Sequence, residues 1–188
     1  VLTPRLGLAG CAAPLPFARP TELNKEATDL NRCIQGALDL YAEEFRKRGI
    51  AAGFDRQPGE VIAHADPEKI KQVIINLIQN SLEALPSGGI IRLGTRLQRT
   101  GSFENLYDSR ATITLRDNGP GIPPEIREKI FEPFFSAKKS GTGLGLAIAR
   151  SIIEEHGGEI AAIDAPEGGA CFEIHLPLST PSSEVKPS

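Results

Sequence analysis

A chain of 188 residues can bury one good core, and a net charge of −3, from 21 Lys and Arg against 24 Asp and Glu, gives no bulk attraction to nucleic acid or to an anionic membrane. No apolar run approaches the roughly 18 residues that span a bilayer, and prolines and arginines break any signal-peptide layout in VLTPRLGLAGCAAPLPFARP, so a soluble, cytoplasmic domain without direct membrane or nucleic-acid contact is expected. Cys11, Cys33 and Cys171 are far apart and form no C-x-x-C pair, which suits reduced structural thiols, and the lack of any methionine fits a piece of a longer polypeptide.

In chain order, residues 1–20 are rich in Pro, Ala and Gly without a sustained period and read as a linker, with the folded domain over 21–178. From Thr28 to Gly49 the apolar residues Leu30, Ile34, Leu38, Tyr41 and Phe45 recur at helical spacing, and Gly49 closes the helix. IAAGFD and VIAHA are short strand candidates. Asp66-Pro67-Glu68 then supplies an N-cap, a proline at the first helical position and an acid in the first turn, starting a helix that runs to about Leu85.

Residues 90–98 and 111–117 alternate as strands, joined by the polar RTGSFENLYDS. Residues 118–141 are rich in Gly and Pro, with one short helical patch in PPEIREKIF. A third helix is expected from Thr142 or Gly143 to His156, where a cation would favour the helix dipole. EIAAID and ACFEIHLP follow as strands, and residues 179–188 have the composition of a disordered tail. Helices alternating with hairpin-like strands predict an α/β two-layer sandwich with a mixed sheet covered by helices on one face.

Three segments carry chemistry. On the helix from Pro67, Gln72, Asn76, Gln79, Asn80 and Glu83 fall within one stripe, while Val73, Ile74, Ile75, Leu77, Ile78, Leu82 and Leu85 cover the rest. A solvated face usually carries Lys and Glu, so this amide-rich stripe is either an unusual polar edge or one wall of a ligand cavity. Amide oxygens are hard neutral ligands suited to Mg²⁺ shared with substrate phosphates. In RDNGPGIPPE, Asp117 ends a strand ahead of Gly119 and Gly121, which is either a plain turn or a carboxylate placed to accept from an exocyclic amine. In SGTGLGLAIAR, Gly141, Gly143 and Gly145 precede a helix, as in a phosphate cradle; it lacks both the preceding strand of a dinucleotide fold and the Gly-Lys-Ser/Thr of a P-loop. Between them lie Phe131, Phe134 and Phe135, then Lys138 and Lys139.

In this order NLIQNSLEA, DNGPGI, FEPFF and GTGLGL resemble the asparagine, first glycine, phenylalanine and second glycine boxes of the catalytic, ATP-binding domain of sensor histidine kinases. The resemblance covers about residues 20–178 and is nearest in flavour to the nitrogen-regulation type. It implies the Bergerat fold, a mostly antiparallel mixed sheet with an ATP lid over about 118–141, and ATP and Mg²⁺ as cofactors. It implies that Asn80 binds Mg²⁺ and is the catalytic position. The nucleotide would be held by Asn76, Asn80, Asp117, Gly119, Gly121, Ile122, Lys138, Gly141, Thr142, Gly143, Leu144 and Gly145, with Asp117 on the adenine amino group.

Two departures qualify it. Hydrolytic relatives of the gyrase, heat-shock chaperone and mismatch-repair kind hold a glutamate where this chain has Asn76, and an amide has no useful basicity. Many sensor kinases hold Lys or Arg where this chain has Glu83. His64, His156 and His175 all lack the H-E-x-x-x-P context of the phosphoacceptor, so each is read as structural. The expected function is transfer of the γ-phosphate of Mg-ATP to a histidine on a separate dimerisation domain, with a response regulator served indirectly. The piece would be a monomer and the intact protein a homodimer. The alternatives are a Mg-ATPase and a non-catalytic nucleotide-binding module.

Overall fold

The computed structural model describes residues 23–98, 109–136, 142–165 and 167–178. The linker expected over 1–20 and the tail over 179–188 lie outside them, as does Cys11.

Strand β1 (Glu26–Asp29) leads into helix α1 (Leu30–Arg48). The helix therefore starts two residues later than the apolar period suggests. Thr28 pairs with Ala63 in a ladder between β1 and β3 (Ile62–Ala65), and Asp29 accepts from the Asn31 N–H as the N-cap. At the other end Gly49 adopts φ +64° and Arg46, Lys47 and Arg48 complement the helix dipole.

Strand β2 (Ala51–Asp55) follows. Helix α2 (Pro67–Ala84) begins as its start signal predicts: the Asp66 carboxylate accepts from the Glu68 and Lys69 N–H groups at 3.1 Å each. Its apolar face buries Ile70, Val73, Ile74, Leu77, Ile78 and Leu82.

Strands β4 (Ile90–Gln98) and β5 (Arg110–Asp117) pair antiparallel, and two short 3-10 turns, Pro124–Ile126 and Lys129–Phe131, replace the single helical patch expected there. Helix α3 (Gly145–Glu155) starts at the last glycine of its segment rather than at Thr142 or Gly143. β6 (Glu159–Asp164) and β7 (Ala170–Pro177) complete a five-stranded sheet of order β2-β4-β5-β7-β6, in which only β2 and β4 run parallel.

The core forms between the helices and one sheet face. Leu30, Ile34, Ile74, Leu77 and Ile153 meet Ile91, Leu93, Ile113, Leu115, Phe172 and Ile174, all buried. On the opposite face β4 and β5 carry exposed arginines at 92, 96, 110 and 116, the alternation expected of a half-buried antiparallel sheet. This is the mixed two-layer sandwich the element order predicts. Among the described residues no helix is long and apolar enough to cross a membrane.

Candidate functional site

A cleft of about 580 Å³ opens at the C-terminal half of α2. Asn76, Gln79, Asn80 and Glu83 form one wall, so the amide stripe faces a cavity from Asn76 onward; Gln72, one turn earlier, is exposed and not part of it. The end of β5 contributes Asp117, and the loop beyond it Pro120, Gly121 and Ile122. Ile126 and Ile130 form an apolar flank, and Thr142, Gly143, Gly145 and Leu146 close the side next to α3.

Asp117 is 5% exposed. Its Oδ1 accepts from the backbone N–H of Gly119 at 3.0 Å and of Ala170 at 3.1 Å, and its Oδ2 accepts from the Ser81 hydroxyl at 2.6 Å. A carboxylate has about four acceptor sites, so one remains for a donor in the cleft. The backbone here is packed too tightly for side chains. A Cβ on Gly169 (φ +86°) would lie 1.8 Å from the Asp117 carbonyl oxygen, and one on Gly121 (φ +80°) 3.0 Å from the Gly169 oxygen. The Asn118 side chain fastens the loop to β4 by accepting from the Ile90 N–H at 2.7 Å.

The two aromatic and glycine segments lock together. The Phe134 N–H donates to the Gly143 carbonyl at 3.0 Å, and a Cβ on Gly143 (φ +66°) would come within 2.6 Å of the Phe134 backbone. Beyond this turn α3 begins without a side-chain cap among the described residues, so its first N–H groups and the positive end of its dipole can take a ligand. Asn76 ties α2 to this turn, its Nδ2 donating to the Gly145 carbonyl at 3.0 Å. On the outer flank Arg127 donates to the Ile122 carbonyl and pairs with Asp164, whose carboxyl it holds below the usual range.

Eight of the sequence-predicted residues thus line one cleft: Asn76, Asn80, Asp117, Gly121, Ile122, Thr142, Gly143 and Gly145. Gly119 adjoins it through its bond to Asp117, and Leu144 occupies the cap position of α3. Lys138 and Gly141 lie outside the described residues. Sequence reasoning missed Ser81 and the Gly169-Ala170 corner, which hold Asp117 from 36 and 53 residues away.

Among the described residues no group of three or more His, Cys, Asp or Glu is placed to hold a metal. The cleft instead offers amide oxygens beside an uncapped helix start. That donor set fits a hard cation that keeps water or phosphate oxygens as most of its ligands.

No histidine lines the cleft. His64 is exposed on β3, and His175 lies on β7 with Nδ1 3.1 Å from the Thr112 hydroxyl. His156 does not serve as a cation on the helix dipole. It is 4% exposed, its Nε2 accepts from the Asp66 N–H at 3.0 Å, and its Nδ1 lies 2.7 Å from the Ile152 carbonyl, so the ring is the neutral Nδ1–H tautomer. Cys33 and Cys171 are buried free thiols, and burial pushes the Cys33 thiol up to about 11.

Residues 65–180 match the family described as histidine kinase-, DNA gyrase B- and HSP90-like ATPase. The sensor histidine kinase ZraS of Klebsiella oxytoca is 37% identical over 165 residues, which are 88% of this chain and 34% of ZraS. The sensory histidine kinase/phosphatase NtrB of Salmonella typhimurium is 46% identical over 116 residues, 60% of this chain and 33% of NtrB. The chain therefore spans about a third of the length of these relatives. The solved catalytic domain of histidine kinase ThkA superposes with a TM-score of 0.71 at 35% identity, covering 81% of this chain and 95% of that domain. ThkA has also been solved in complex with the response regulator TrrA, matched at a TM-score of 0.69 and 32% identity over 84% of this chain and 42% of ThkA. The chain belongs to the histidine kinase-, gyrase B- and HSP90-like ATPase family and, within it, to the catalytic ATP-binding domains of sensor histidine kinases.

Proposed function

We propose that the cleft binds Mg-ATP and that the chain donates the γ-phosphate to a histidine on a separate dimerisation domain of the same sensor kinase. One observation carries the reading. The amide wall of α2, the Asp117 strand end and the Thr142–Gly145 turn are far apart in sequence, yet line a single cleft. Asp117 gives its remaining acceptor site to the adenine amino group, between Gly119, Gly121 and the apolar flank begun by Ile122. Gly143, Leu144 and Gly145 present backbone N–H groups and the α3 dipole to the phosphates, with Thr142 beside them. Lys138 and Gly141 are assigned to the same phosphates on the resemblance alone. Asn80 would hold Mg²⁺, which when bound would supply charge neutralisation to the phosphates.

Phosphoryl transfer needs positioning and charge neutralisation more than covalent help. The chain's own residues supply those two things, and the acceptor is assigned to the separate dimerisation domain because none of the histidines at 64, 156 and 175 is among the described residues that line the cleft. Water activation is disfavoured at Asn76, whose amide lacks basicity and already donates to the Gly145 carbonyl. Glu83, a carboxylate lining the same cleft, is the observation in favour of the second reading, a Mg-ATPase. The partners of the intact protein are then its dimerisation helix pair, through which it forms a homodimer, and a response regulator. The solved complex of the similar ThkA with TrrA supports the latter.

Calorimetry with ATP and ADP, with and without Mg²⁺, followed by a phosphate-release assay and then addition of the dimerisation helix pair, tests this. The expected outcome is Mg-dependent binding, negligible release, and acid-labile label on the added histidine. Brisk release abolished by Glu83→Gln would install the ATPase reading instead. Binding with neither release nor transfer would mark a non-catalytic module.

A further inference from the structure

Ser81 follows Asn80 on α2, and one helical step of about 100° turns it from the cleft wall toward the sheet. It is fully buried, and its hydroxyl donates to Asp117 Oδ2 at 2.6 Å. An ionised carboxylate only accepts, so the single hydroxyl proton is committed to Asp117. Oδ1 meanwhile takes the Gly119 and Ala170 N–H groups. Donors from α2, from the loop after β5 and from the start of β7 thus fix the plane of the carboxylate and fill three of its four acceptor sites.

We propose that Ser81 is a positioning residue that makes the cleft select a purine with an amino group at the 6-position over one with a keto oxygen there. This rests on the reading of Asp117 as the acceptor for the base. With Ser81 in place, the remaining acceptor site meets an amino N–H favourably and a keto oxygen with lone pairs against lone pairs. The hydroxyl cannot relieve that conflict, because turning its proton toward the base would leave the buried Oδ2 without its donor. A site built to receive one N–H rejects an analogue that lacks it. Remove the hydroxyl and Oδ2 has two open sites. A water entering from the cleft then fills the gap, and water donates or accepts as the base requires, so the preference fades.

The test is calorimetric binding of ATP and of inosine triphosphate to the 188-residue chain, wild type and Ser81→Ala, with a thermal melt of each in the absence of nucleotide. The expected result is an ATP affinity about tenfold lower in Ser81→Ala, an unchanged or higher affinity for inosine triphosphate, and so at least a tenfold fall in the ratio of the two. An equal loss for both nucleotides, leaving the ratio at its wild-type value, would show a merely structural role and overturn the proposal. Wild-type protein that binds both nucleotides equally would overturn the assignment of Asp117 to the base, and the role of Ser81 with it. If Ser81→Ala melts below the assay temperature, Ser81→Cys, which fills the space with a weaker donor, carries the same ratio test.

Discussion

Helices α2 and α3 lie side by side and antiparallel, tied by one side-chain-to-backbone bond at each end, about 15 Å apart along their axes. At the far end the Asp66 N–H donates to His156 Nε2, the Asp66 carboxylate caps α2 and also accepts from the Asn24 N–H at 3.1 Å, and Lys25 Nζ reaches the Glu155 carbonyl at 2.8 Å. His156 and Asp66 are both buried there. At the cleft end Asn76 holds the Gly145 carbonyl, but among the described residues α3 starts without a side-chain cap and its neighbours are glycines. One helix pair is therefore saturated at one end and left with donors to spare at the other. Polar groups at the cleft end can await a ligand because the register of the pair is held elsewhere.

The largest expected effect lies at the floor of the cleft. Gly169→Ala places a methyl on top of the Asp117 carbonyl at a positive φ, so β5 and β7 must move apart where the carboxylate is anchored. A loss of about 4 kcal/mol in urea unfolding is expected, in the range that marks a backbone clash. A loss under about 1 kcal/mol would mean that the cleft end is far softer than its packing implies.

Next is His156→Ala at the saturated end. It removes a buried ring, strands the Asp66 N–H and leaves a void, for about 3 kcal/mol of destabilisation. Nucleotide affinity of the folded protein should change less than twofold. A large drop in affinity would show that the far end sets the shape of the cleft and would break the division between the two ends.

Asp66 gives a smaller, pH-dependent effect. Burial alone would push its carboxyl up, but the N–H donors of Lys69, Asn24 and Glu68 outweigh that and hold it below its ordinary value of 3.8. A carboxyl depressed in the folded state contributes stability that is present above the unfolded value and lost as pH falls through the folded one. Melts below about pH 4 should therefore show a loss in the wild type that Asp66→Asn, which still caps the helix, does not share. Asp66→Ala should cost about 1 kcal/mol at neutral pH through the lost cap.

The contrast between the two ends also separates what the sequence makes legible from what it hides. The α2 start was readable because Asp66, Pro67 and Glu68 act on N–H groups two and three residues away, and strands β4 and β5 because alternation is local. The cleft was readable as a set because its polar residues come in compact segments. What was hidden depends on distant partners. β1 exists only through its pairing with β3, so Thr28 and Asp29 read as the start of a helix. His156 reads as a dipole cation until Asp66, 90 residues earlier in the chain, supplies a donor to its Nε2. Ser81 in an apolar helical run, and Ala170 at the start of a strand, carry no local signal of the carboxylate they hold.

An effect on stability no larger than the loss of the Asp66 cap tests the cleft end directly. Asn76→Ala breaks the tie to the Gly145 carbonyl at a half-buried position, and about 1 kcal/mol of stability should go with it. ATP affinity should fall by about threefold to tenfold as the start of α3 loosens against α2. The informative measurement is the double variant with His156→Ala. Sites about 15 Å apart that share no partner should add to within about 0.5 kcal/mol. Additive losses would mean that each end is tied independently, so the open end draws its geometry from Asn76 and the glycine turn alone. A double variant less destabilised than the sum would mean that either break frees α3 to slide along its whole length. The register of the saturated end would then be a condition for the donors that the open end holds out.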